Sequence, residues 1–154
     1  MKRTASAIFF AVMLAFASVS YGGEMPADIF AKVKASIESR YPDNYSMQKT
    51  LIANQVQSYK FLQSYSPSII PSDVFENIKG AIESRYPYNF SMQKTLIQDQ
   101  VQSYEYLKTY APSSVPQNVL DRIKNKISSR YPYNFSMQKT LIEDQVRSYL
   151  DLNK

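Results

Sequence analysis

Glu83 and Asp99 are the two carboxylates that a small hydrolase built on this chain would draw on, as paired acid and base. The rest of the usual catalytic inventory is missing. The 154 residues include no His and no Cys, which removes the common base at neutral pH, the common nucleophile and most transition-metal ligands. There is also no P-loop, GxGxxG, HExxH or EF-hand loop. No carboxylate recurs through the chain. Glu38 and Glu83 are answered by Ser128, and Asp99 and Asp144 by Asn54. The expectation is therefore a protein without catalytic, cofactor or metal residues, and the carboxylate-based hydrolase is a remote alternative.

What does recur is a Lys-Thr pair: Lys49-Thr50, Lys94-Thr95 and Lys139-Thr140, each 45 residues after the last. Two readings stand side by side. The pairs form a row facing a protein partner, or each Thr bonds its own helix and each Lys lays its stem over a neighbouring Tyr. The 13 Tyr divide in the same way. Tyr41, Tyr45, Tyr59 and Tyr65 fall at helical spacing and read as core; exposed ones would stack on sugar rings of a cell-wall glycan.

These residues need elements to hold them, and the elements repeat. "RYPDNYSMQKTLI" at Arg40 returns as "RYPYNFSMQKTLI" at Arg85 and Arg130. From Arg40 to Tyr59 all positions but five (43, 45, 53, 54, 57 and their counterparts) are identical in the three copies; from Pro26 to Ser39 only Pro26, Lys34, Ile37 and Ser39 are. The period suits two-helix repeats, here 26–70, 71–115 and 116–154. The expected fold is all-α: six helices in three αα-hairpins, as a short solenoid-like array or a compact bundle.

In each unit helix A opens at a Pro and carries one apolar stripe, such as Ile29, Phe30, Val33, Ile37 and Tyr41. It ends at a Tyr-Pro corner (Tyr41-Pro42, Tyr86-Pro87, Tyr131-Pro132), because proline disfavours helix in the residue before it. Asn44, Asn89 and Asn134 are expected to cap helix B, with Ser46 and its equivalents as rivals. Helix B spreads Met47, Leu51, Ile52, Val56, Tyr59 and Leu62 over an arc of about 180°, enough to touch two neighbours. Gln48, Gln55, Gln93, Gln100, Gln138 and Gln145 fall in that arc. Buried amides must find partners, so these six are expected to clamp the corners or connectors.

The front end reads as an address. Lys2 and Arg3, the apolar run Ile8–Leu14 and Ala15-Phe16-Ala17 have the form of a secretory signal peptide, assigned to residues 1–23, with residues 24–154 as the exported helical domain. The apolar run is shorter than the roughly 20 residues a membrane span needs. Without Lys2 and Arg3 the formal charge falls from +5 to +3, and no basic stripe is kept from copy to copy. Nucleic acid is therefore not an expected partner.

The segment YPxN[YF]SMQ resembles an aromatic-Pro-x-Asn-aromatic-x-Met-Gln motif of uncharacterised exported or envelope-associated bacterial proteins. The resemblance runs through all three repeats. It implies a bacterial, periplasmic or secreted helical-repeat protein and brings no catalytic residue. The expected function is an interaction or structural module for an envelope protein, with cell-wall glycan binding as the alternative.

Overall fold

The computed structural model describes residues 25–154. The expected signal peptide lies outside the described residues. Six helices follow in order: α1 (Ala27–Arg40), α2 (Tyr45–Ser64), α3 (Ser72–Arg85), α4 (Phe90–Thr109), α5 (Gln117–Arg130) and α6 (Phe135–Leu152). Among the described residues no helix is long and apolar enough to cross a membrane.

Each helix A starts after a Pro, ends at a Tyr whose N–H bonds back to the Ile four residues earlier, and carries an Arg in its last turn. The corner is a four-residue turn closed by the Asn N–H on the Tyr carbonyl at 3.2–3.3 Å. Asn44, Asn89 and Asn134 then cap the next helix, their Oδ1 accepting from the N–H of Met47, Met92 and Met137. The rival serines do other work: Thr50, Thr95 and Thr140 each donate to the carbonyl of Ser46, Ser91 or Ser136 at 3.0 Å. Asn prevails because its carbonyl reaches the third N–H of the helix from the residue just before it.

α1, α3 and α5 each pack on their own helix B and not on one another. α4 packs on α2 and on α6, while α2 and α6 do not meet. The described residues thus form an open row of three hairpins with the B helices as its spine. Ile97 of α4 is wholly buried at 0 % exposure and its counterpart Ile142 at 2 %, each beside a preceding repeat, whereas Ile52, which has none among the described residues, is half-buried. At each junction a Tyr ring meets the next repeat's Phe edge-on: Tyr59–Phe90 and Tyr104–Phe135, both at 5.0 Å and 77°. Such pairs add roughly 0.5–1.5 kcal/mol beyond the area they bury.

Candidate functional site

The glutamines divide into two clamps. Gln48, Gln93 and Gln138 are buried and donate to the Tyr41, Tyr86 and Tyr131 carbonyls at 2.8–2.9 Å, tying each helix B to its own corner. Gln55 and Gln100 reach across to the following repeat. Gln55 Nε2 donates to Ser91 Oγ (2.8 Å) and Asn89 Oδ1 (3.2 Å), and its Oε1 accepts from the Ser91 N–H. Gln100 repeats this on Ser136 and Asn134, with Oε1 accepting from the Phe135 N–H at 2.6 Å. Gln145, expected to be a third member, is exposed and makes no hydrogen bond among the described residues. The correction has a simple cause: among the described residues no fourth corner stands beside it.

Because the A helices stand apart, a cleft opens between consecutive hairpins. The first, about 630 Å³, is walled by Lys32, Ser36 and Arg40 of α1 and closed by the next repeat's corner, Arg85 to Asn89, with Met92 and Thr95. The second, about 570 Å³, has the same plan one period on, with Arg85, Tyr86, Gln100, Tyr133, Met137 and Thr140 among its walls. No Asp or Glu lines either cleft, whereas Lys32, Arg40 and Arg85 line the first and Arg85 the second. Arg85 is thus shared by both. Its guanidinium lies over the Tyr86 ring at 5.5 Å, which orients the charge without neutralising it.

At each mouth stands an exposed tyrosine in an uncommon backbone state. Tyr88 and Tyr133 have φ of 62° and 63°, the left-handed region, and are 40 % and 46 % exposed. A bulky side chain there costs roughly 1–2 kcal/mol. Asp43 holds the same place in the first repeat, with φ of 60°. Lys32 Nζ donates to the Tyr88 hydroxyl at 3.0 Å, and that bond is the main reason its pKa is raised.

The Lys-Thr pairs separate. Thr95 and Thr140 line the clefts, whereas Lys94 and Lys139 do not. They lie over Phe61 and Tyr106 of the preceding repeat, each at 4.7 Å from the ring centroid. Lys49 and Thr50 are exposed. The methionines also depart from expectation: the helical arc predicts burial for Met47, yet it and its counterparts Met92 and Met137 are each 41–42 % exposed. All three sit in the first turn of helix B, where the Gln beside each turns inward to the corner carbonyl, and Met92 and Met137 line the clefts. Tyr41, Tyr59 and Tyr65 are half-buried, while Tyr45 is 74 % exposed and departs from its core reading. Glu83 and Asp99 are exposed and line neither cleft.

Tyr88 and Tyr133 were missed from sequence. Their signal was available: position 43 of the unit is one of the few in the corner that varies, and Tyr is unusual where a turn calls for Gly or Asn. No family model, curated protein or solved structure matches this chain.

Proposed function

We propose that the chain is a non-catalytic interaction module of the bacterial envelope, whose two clefts receive an extended acidic segment of a partner protein. One observation carries this: a cleft of the same plan is built twice, one period apart, with a Tyr and a Met in its walls and no carboxylate, lined by Lys32, Arg40 and Arg85 in the first and by Arg85 in the second. A cationic groove flanked by aromatic and thioether side chains suits an acidic peptide with apolar residues at intervals. The strained tyrosines support it, since backbone strain that persists at an exposed side chain points to a use for that side chain.

The test is capture of a partner from envelope extract at low and high salt, comparing the unmodified protein with Arg85→Glu. Arg85 lines both clefts, so its reversal should weaken capture by at least about tenfold. Equal capture by both proteins contradicts the reading.

A second reading, cell-wall glycan binding, is favoured by the exposed Tyr88 and Tyr133 rings alone. It requires that the protein sediment with isolated cell wall and that Tyr88→Ala with Tyr133→Ala abolish this.

A further inference from the structure

The two ends of the row are unlike its middle. At the tail, Gln145, Ser148 and Leu152 are exposed, Leu152 at 86 %, although the matching Leu62 is 5 % exposed and Ser58 and Ser103 are buried. Ile123, Ile127, Tyr131 and Leu141 line a third concavity of about 410 Å³. Their counterparts, Val33, Ile37, Tyr41 and Leu51 and then Ile78, Ile82, Tyr86 and Leu96, form one wall of the first two clefts; here no facing corner stands among the described residues. At the head, Tyr45 is 74 % exposed where Phe90 is 9 %, and Ile52 is half-buried where Ile97 is 0 %. Among the described residues the tail therefore presents the clamp without its target, and the head presents the target without its clamp.

We propose that the tail of one chain docks on the head of a second copy, reproducing the junction that joins consecutive repeats inside the chain. Setting the second copy's first repeat where a fourth repeat would lie puts Gln145 on its Asn44 and Ser46, and Tyr149 edge-on to its Tyr45. Charge supports the choice of partner. Inside the chain Lys94 and Lys139 lie over Phe61 and Tyr106; at the tail that ring is replaced by Asp151, so Lys49 of the second copy meets a carboxylate. Inside the chain Lys32 bonds Tyr88; the tail counterpart of Lys32 is Arg122, and the head counterpart of Tyr88 is Asp43. Two of the places where the terminal repeats depart from the internal pattern thus bring opposite charges together. Asp151 now holds Lys154 at 2.6 Å on the open surface, a pairing worth little and readily exchanged. The contact is heterologous, so it extends into a row of copies. It uses the ends and not the clefts, and stands apart from the proposed partner binding.

The test is sedimentation velocity of the purified protein over a rising concentration series. Its mean mass should grow with concentration and fall with added salt. Asp151→Lys and Lys49→Asp, both at exposed positions, should each weaken association at least about tenfold with helix content unchanged by circular dichroism. Mixing the two variants should restore assembly, because each reversed end then meets its complement. A monomer at every concentration, assembly indifferent to both reversals, or mixed variants that stay apart would each overturn the proposal.

Discussion

At the scale of single residues, position along the row decides what a side chain does. Tyr106 illustrates this. Hydrogen bonding to Glu143 of the next repeat, with burial and the carboxylate's charge adding to it, pushes the phenol up to about 12. Its folded pKa lies above the unfolded value of about 10, so its contribution to stability is present below pH 10 and is lost as pH rises toward 12. Absorbance titration of the tyrosinate band should show a late-ionising component, to which Tyr65 and Tyr110 also contribute because burial raises them, and Glu143→Gln should bring the Tyr106 part of it back toward the ordinary range. An unchanged titration curve in that variant would remove Glu143 as the cause. Tyr59 and Tyr104 each have a Phe edge-on, while Tyr149 at the same repeat position has none among the described residues.

At the scale of elements, the corner joins stability to the proposed function. The Tyr-Pro turn places its third residue in left-handed backbone, and in two repeats that residue is Tyr. Tyr88 is held by Lys32, which makes Tyr133 the cleaner probe. Tyr133→Gly should raise stability by up to about 1 kcal/mol in urea denaturation, because glycine carries no left-handed penalty. The same change should weaken partner capture. A loss of stability would mean that the ring packs more than its exposure suggests. The helices, their ends and the asparagine caps were legible in sequence, since Pro, Asn and the apolar stripe act locally and repeat three times. The intra-repeat reach of Gln48 to its own corner was legible too. The cross-repeat reach of Gln55 and Gln100 was not, because periodicity fixes an angle on one helix and does not say which neighbour fills it. The exposure of Met92 and Met137 was hidden for the same reason. The buried glutamine beside each takes the inward place that hydrophobicity alone would assign to the Met.

At the scale of the whole molecule, the row behaves as a one-dimensional array, with stability divided between hairpins and the junctions that join them. Each junction combines one glutamine clamp, one edge-on aromatic pair and one lysine over a ring. Gln145, identical to the Gln55 and Gln100 that clamp the junctions, makes no such clamp among the described residues. The most direct check compares two identical substitutions in dilute protein by urea denaturation. Gln100→Leu strips a clamp from the Ser136 and Phe135 N–H groups and should cost roughly 1–3 kcal/mol. Gln145→Leu touches no partner and should leave the midpoint unchanged. Equal losses, or no loss in either, would contradict the claim that junctions between repeats hold the fold together.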